Sequence, residues 1–400
     1  MEHRYFKPSA YLTITAKLWR VHWPLVLVTA ILAAVGSIAL YSAAGGSLHP
    51  WAEQHATRYL VGLGLLLAAA LLPVRFWLGA AYPAYLITLL ALFAVMLFGT
   101  EAMGARRWLR LGGMAVQPSE AMKIVLVLAL ARYYHDLPSD RVSRPSAVLV
   151  PLLAIVLPIA LVLRQPDLGT ALLLMFCGLV VMFLAGVRLL YFIAGAVLAA
   201  VVSPLAWYVL HDYQRQRLLT FLNPEADPSG AGYHILQSKI ALGSGGLTGK
   251  GFMLGTQSRL GFLPEKHTDF VFTMFAEEMG FVGAAALLML FALLIALLLW
   301  MAVACRHRFG RLLIAGIASG LFAYVFVNIA MVSGMVPVVG VPLPLVSYGG
   351  SAMLAVMLGL GMAMNAHVHY DARLQRLDLP LIVQGPSLGR GLVPRLWSRH

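Results

Sequence analysis

Charge is scarce in this chain: Asp, Glu, Lys and Arg make up 11% of its 400 residues, where a soluble domain carries about 25%. Apolar residues reach 60% and the mean hydropathy is +0.83, which excludes an ordinary water-soluble domain. Cysteine is scarcer still. The two thiols, Cys177 and Cys305, sit in or beside apolar runs, so neither a disulfide framework nor a cysteine-based metal site is available. No HExxH pair occurs. The nearest approach to a phosphate loop, GSGGLTGKG, fails because Ser244 stands where the first glycine of G-x-x-x-x-G-K-[ST] belongs and Gly251 replaces its Ser or Thr. That stretch reads instead as a flexible glycine hinge. Internal repeats are absent too, and nothing but the apolar runs is low in complexity.

Those runs are what the chain has in abundance. Apolar windows fall at 23–44, 57–74, 76–99, 116–134, 147–163, 168–186, 189–210, 279–304, 312–333 and 351–367, and about 20 residues suffice to cross the hydrocarbon core of a bilayer. They predict an all-α polytopic membrane protein with ten transmembrane helices. The first window follows Arg4, Lys7, Lys17 and Arg20 in the manner of a signal peptide, but its length exceeds an ordinary h-region, so an uncleaved first span is expected. An even count puts both termini on one face. That face collects 17 basic against 5 acidic residues and the other holds 12 and 11, so the termini are assigned to the cytoplasm. Residues 1–370 form the membrane domain, with one large periplasmic loop at about 211–278. Residues 371–400 form a basic cytoplasmic tail suited to anionic lipid. Within the loop, GYHILQSKIAL reads as a short amphipathic helix at the membrane surface.

The few charged residues cluster. GFLPEKHTDF, 261–270, gathers Glu265, Lys266, His267 and Asp269 just before the apolar FVFTMF, which draws the Asp269 carboxylate out of bulk water and makes it a better base. His267 and Asp269 are too few for a metal cage, so a metal stays open, with Asp269 its possible ligand and a divalent cation such as Mg or Mn its possible identity. GARRWLRLGGMAVQPSEAMK, 104–123, sets Arg106, Arg107 and Arg110 in a loop. It then places Glu120 and Lys123 one turn apart in an apolar helix, where they either face a protein-lined cavity or form a packing pair. RQPDLGT, 164–170, reads as a tight turn whose Asp167 caps the next helix and borders the cavity. VPVVGVPLPLVSYGG, 336–350, concentrates Pro and Gly as a cavity rim, with Ser347 and Tyr348 offering hydroxyls to a sugar. Glu277 and Glu278 suit a helix N-terminus. Cations around one poised carboxylate suit a reaction in which a hydroxyl attacks and a phosphate departs.

Four stretches together, HDYQRQR (211–217), NPEADPSGAGYHILQSKIALGSGGLTGKG (223–251), LPEKHTDFVF (263–272) and VNIAMVSGMVPVVGVPLPLVSYGGSA (327–352), closely resemble the SEDS family of shape, elongation, division and sporulation proteins. Within it they resemble the elongation branch more than the division branch. The resemblance spans nearly the whole chain to about Asn365, while the tail after about Asp371 has no counterpart. It implies a peptidoglycan glycosyltransferase that polymerises lipid II at the periplasmic face of the bacterial inner membrane. Its partners would be a class B penicillin-binding protein, other membrane proteins of the elongation machinery and membrane lipid, with no nucleic acid. The family's essential loop aspartate falls on Asp269, its paired Glu and Lys on Glu120 and Lys123, and its motif arginines on Arg106 and Arg107. Pyrophosphate contacts are expected from Arg106, Arg107, Lys123, Lys266 and His267. A lipid II flippase, a division-type polymerase and a non-catalytic scaffold are the competing expectations.

Overall fold

The structure is a computed structural model and describes residues 12–102, 105–111, 114–209, 215, 219–221, 223, 231–260, 262 and 265–374. Each apolar window coincides with a helix. In chain order these are α1 (Ile14–Arg20), α2 (Trp23–Ala43), α3 (Trp51–Leu71), α4 (Val74–Phe98), α5 (Pro118–Asp136), α6 (Pro145–Arg164), α7 (Leu168–Leu184) and α8 (Leu189–Val209). They are followed by α9 (Ala231–Ser244), α10 (Thr256–Arg259), α11 (Val271–Ala304), α12 (Arg308–Val332) and α13 (Gly350–Val368). Among the described residues, six helices are long and apolar enough to cross a membrane: α2, α4, α6, α11, α12 and α13. The protein is a multi-pass membrane protein.

Where a helix sits follows from its charge. Helix α4 has no Asp, Glu or Lys and turns Phe76, Leu86, Ile87, Leu90, Phe93 and Leu97 outward, as a lipid-facing helix should. Helix α5 carries Glu120, Lys123, Arg132 and Asp136 and is buried along almost its whole length. Every one of those charges is paired inside the protein, Lys123 with Glu120 at 2.8 Å and Arg132 with Asp136 at 2.6 Å. Charge in apolar surroundings is tolerated only when paired and hydrogen-bonded, so α5 occupies the centre, against α4, α7 and α12.

Three expectations are corrected. The chain is not all-α: β1 (Thr100–Ala102), β2 (Ala105–Leu111) and β3 (Met114–Val116) form an antiparallel three-stranded sheet between α4 and α5. Arg106, Arg107 and Arg110 therefore lie on a strand and not in a loop. Leu111 pairs with Met114, which sets the antiparallel register of β2 and β3. Helix α11 begins at Val271, ahead of the window at 279, because it is two helical pieces joined at Gly280, whose φ of 66° breaks the regular backbone.

The glycine-rich stretch is no hinge. Residues 245–251 lie backbone against backbone on that break: Lys250 and Gly251 N–H donate to the Glu277 and Glu278 carbonyls, and Phe281 and Val282 N–H donate to the Gly246 and Leu247 carbonyls. A Cβ on Gly249 would stand 2.1 Å from the Glu278 oxygen. Glycine is needed here for close approach. Lys250 Nζ then reaches Glu277 Oε1 at 2.7 Å, and Ser42 Oγ donates to Glu278 Oε1 at 2.6 Å. Both acids are thus held within the protein rather than left to solvate a helix end.

Candidate active site

The segment before α11 is a tight turn, 265–270, that ends on Asp269 and the buried Phe270. Three consecutive carbonyls in it each accept a hydrogen bond from the segment 328–348. Tyr348 N–H donates to the His267 oxygen at 2.8 Å, Ser347 Oγ to the Thr268 oxygen at 2.6 Å, and Asn328 Nδ2 to the Asp269 oxygen at 3.0 Å. Ser347 Oγ also accepts from Leu343 N–H at 2.8 Å, and Asn328 Nδ2 also donates to the Val341 carbonyl at 2.7 Å. The rim 336–350 and the Asp269 turn are therefore one unit, joined through main-chain atoms of the turn. Asp269 itself is half-buried, and the ideal Cβ position on Gly340 lies 3.3 Å from its Oδ2. Gly340 has φ of 69°, a backbone that only glycine adopts without strain, so the rim passes close to the carboxylate.

Aromatic and cationic groups border this turn. The His267 ring stacks on Trp51 with centroids 4.4 Å apart and planes 7° from parallel, and the Tyr348 ring lies 6.0 Å away. Burial holds the His267 imidazole below its ordinary pKa, with Glu265 opposing that and Lys266 adding to it. Burial likewise lowers Lys266, opposed by the charge of Glu278. The Arg58 guanidinium covers the Tyr348 ring at 4.5 Å and donates to its hydroxyl at 3.2 Å, while that hydroxyl also bonds Gln54.

Beneath the turn lies the charged pair of α5. Lys123 Nζ donates to Glu120 Oε1 at 2.8 Å and sits 4.4 Å above the Tyr324 ring. The Tyr324 hydroxyl donates to Glu120 Oε2 at 2.6 Å, so both carboxylate oxygens are engaged. Glu120 and Lys123 are 5% and 3% exposed, which puts them out of reach of a bulky substrate in this conformation. Tyr324 and Asn328 are one turn apart on α12 and share a face. Through them the buried pair is linked to the Asp269 carbonyl.

The family model described as "Cell cycle protein", covering the FtsW, RodA and SpoVE proteins, matches residues 17–372. The chain belongs to this SEDS family. The peptidoglycan glycosyltransferase MrdB of Escherichia coli K12 is 46% identical over 347 residues, 86% of this chain and 93% of that protein. A probable peptidoglycan glycosyltransferase FtsW of Trichlorobacter lovleyi is 36% identical over 353 residues, 85% of this chain and 91% of its own. Among solved structures, a chain of a peptidoglycan synthase complex that coordinates polymerization and crosslinking is 36% identical with a TM-score of 0.76, covering 87% of this chain and 97% of itself. The rod-shape-determining protein RodA of Thermus thermophilus is 34% identical with a TM-score of 0.63, covering 87% and 96%.

For this SEDS chain the structure brings the His267–Asp269 stretch together with Ser347 and Tyr348 of the rim, two stretches that sequence alone read apart. Ser347 is not a displayed hydroxyl: it is 3% exposed, and its oxygen is engaged by Thr268 and Leu343. Arg107 grips the turn after α6, donating from Nε to the Gln165 carbonyl at 3.1 Å and from Nη2 to the Pro166 carbonyl. Arg106 and Arg110 are exposed. Asp167 caps α7, accepting from Thr170 N–H at 3.1 Å and Thr170 Oγ1 at 2.9 Å. Sequence reasoning missed Tyr324 and Asn328. The signal was present: two polar residues four apart in an apolar helix, which at membrane depth need a partner.

Proposed function

We propose that this chain is a peptidoglycan glycosyltransferase of cell elongation, which polymerises lipid II with Asp269 as the general base. The observation that carries the reading is the triple main-chain anchorage of residues 267–269, which fixes the position of Asp269 independently of its carboxylate. The named activities of the relatives at 46% and 36% identity support the same reaction class.

Lipid II carries its sugar on an α-linked pyrophosphate, and the polymer linkage is β, so one in-line displacement suffices. The acceptor's 4-hydroxyl oxygen bonds to the donor's anomeric carbon as the bond from that carbon to the pyrophosphate oxygen breaks. The hydroxyl proton passes to the Asp269 carboxylate, and the electron pair leaves on the lipid pyrophosphate. A positioned base contributes roughly 10²- to 10⁴-fold in rate. Cations stabilise the charge that develops on the leaving group. Lys266, three residues before Asp269 in the turn, and Arg106, exposed on β2, suit that role by position, whereas Lys123 is 3% exposed. Glu120, Lys123 and Tyr324 act as a positioning cluster beneath the site.

Among the described residues, no three His, Cys, Asp or Glu side chains converge as a metal cage. A divalent cation held by Asp269 would take its remaining ligands from the substrate pyrophosphate and water, as Mg²⁺ commonly does, and would supply charge to the leaving group.

In this reading the ten helices α2–α8 and α11–α13 all cross the membrane. Helices α3 and α5 carry internal charges that lower their own hydropathy, and α5 is buried against its neighbours; α7 and α8 are strongly apolar but shorter, and α8 turns its side chains outward as a lipid-facing helix should. The excess of basic residues on the face that holds the termini supports a cytoplasmic location for that face of the bacterial inner membrane, with Asp269 opening to the periplasm. The partner is a crosslinking transpeptidase of the class B penicillin-binding type, a pairing supported by the synthase complex among the structural relatives. The test is to supply purified protein with lipid II already accessible and to look for glycan strands on a gel. Strands are expected; a flippase or a scaffold makes none.

A further inference from the structure

At the end of the bundle opposite Asp269, a cavity of about 380 Å³ opens between α1, the start of α2 and the last turn of α13. Asp269 precedes α11 and Trp300 lies in its last turns, and the piece of α11 from Gly280 to Trp300 alone rises about 30 Å. Two imidazoles form one wall. His22 and His367 meet edge to face with centroids 5.6 Å apart, and Trp300 packs against both at 5.3 and 5.7 Å. The Nδ1 atoms of His22 and His367 are both buried with no hydrogen-bond partner among the described residues.

The opposite wall is cationic. Arg20 Nη1 donates to Asp371 Oδ1 at 3.1 Å and to the Val368 carbonyl at 3.3 Å, and the guanidinium lies over the Tyr370 ring at 5.3 Å. Both bonds leave from one nitrogen of a group that carries five N–H donors. Trp19 and Trp23 border the mouth and Trp300 stands beside it, 89%, 51% and 56% exposed. Tryptophans arranged in this way mark the headgroup level of a bilayer.

We propose that this cavity binds the phosphate of an anionic membrane lipid, between Arg20 and the paired imidazoles of His22 and His367. The chemistry is that of a phosphate delivered at headgroup depth. A guanidinium supplies charge-assisted hydrogen bonds, the imidazoles supply N–H donors, and the tryptophans hold the glycerol and first methylenes. The site is independent of the Asp269 assignment, and its test does not use polymerisation.

The full chain in detergent is titrated with phosphatidylglycerol, with phosphatidylcholine of the same acyl chains, and with inorganic phosphate. Native mass spectrometry reads retained lipid and thermal unfolding reads stabilisation. Phosphatidylglycerol is expected to be retained over phosphatidylcholine, and Arg20→Gln to weaken it about tenfold or more, as loss of a charge-assisted bond does. Asp371→Asn distinguishes a binding site from a structural ion pair. If Arg20 serves only Asp371, the two substitutions act alike; in a phosphate site Asp371→Asn removes a competing carboxylate and tightens binding. The double substitution His22→Phe with His367→Phe keeps the ring packing, removes the ring nitrogens, and is expected to weaken binding as well. Arg373→Gln, an exposed basic residue at the same end, should leave it unchanged. Equal retention of the two lipids, or phosphatidylglycerol retention that survives both Arg20→Gln and the double substitution, overturns the proposal. Stabilisation by inorganic phosphate alone overturns the lipid source in favour of a soluble phosphate.

Discussion

Residues 267–269 and the Glu120–Lys123 pair both put charge where the surroundings are apolar, and they are held in opposite ways. The turn is anchored through three main-chain carbonyls, by Tyr348, Ser347 and Asn328. The pair is anchored through its own charged atoms, with both Glu120 oxygens engaged by Lys123 and Tyr324. Anchorage by backbone fixes a residue's place whatever its side chain does, which is what a proton-transferring group requires. Anchorage by side chain commits the charge to the fold. The difference supports the proposed division, with chemistry at Asp269 and positioning by Glu120, Lys123 and Tyr324.

The comparison breaks most visibly if the buried pair can be cut without harm. Lys123→Met leaves the Glu120 carboxylate buried with Tyr324 as its remaining partner, at an expected cost of about 3–5 kcal/mol. Thermal unfolding in detergent measures it, and Glu120→Gln in the same background should recover most of the loss. Unchanged unfolding in the single variant would mean that the pair is not held by its charges.

A smaller loss, about 1–3 kcal/mol, is expected for Gly249→Ala, whose Cβ meets the Glu278 oxygen and whose φ of +80° disfavours any side chain. Limited proteolysis within 245–260 reads it, since the stretch would come away from the break at Gly280.

Asn328→Leu sharpens the comparison from the other side. It removes the bond to the Asp269 carbonyl while filling similar volume, so the turn persists with a looser Asp269. The expected result is a roughly tenfold or greater fall in kcat with little change in KM, because misplacement of a catalytic group acts on the reacting geometry.

The smallest effect is in pH. Burial depresses the His267 pKa, so the folded turn favours the neutral ring. Its contribution to stability is full above the unfolded value, about 6.5, and is lost as pH falls below that toward the depressed folded value. Hydrogen-exchange protection of 265–270 should weaken on acidification through this range, and His267→Gln should flatten the trend.

Much of this was legible in the sequence because apolar length and charge scarcity act locally. The windows locate the helices to within a few residues except at the starts of α3 and α11, which lie six and eight residues earlier, and Glu120 with Lys123 three positions apart in an apolar run announces a pair. Asp167 before Leu168 announces a cap. The sheet was not legible because three arginines in eight residues resemble a solvated loop, although Gly112–Gly113 between apolar alternations carried the hairpin signal. The glycine run at 243–251 showed its composition but not its partner, since close backbone approach to Gly280 is a contact across about thirty residues. Asn328 and Tyr324 were hidden in an apolar helix, their meaning set by the carbonyl and carboxylate that folding brings to them.

Asp269→Asn tests the central claim directly, measured as the rate of lipid II polymerisation beside thermal unfolding of the same protein. The backbone bond from Asn328 survives this substitution, so unfolding should be unchanged while the rate falls by about 10²- to 10⁴-fold. A folded Asp269→Asn protein that polymerises at the normal rate would contradict the account.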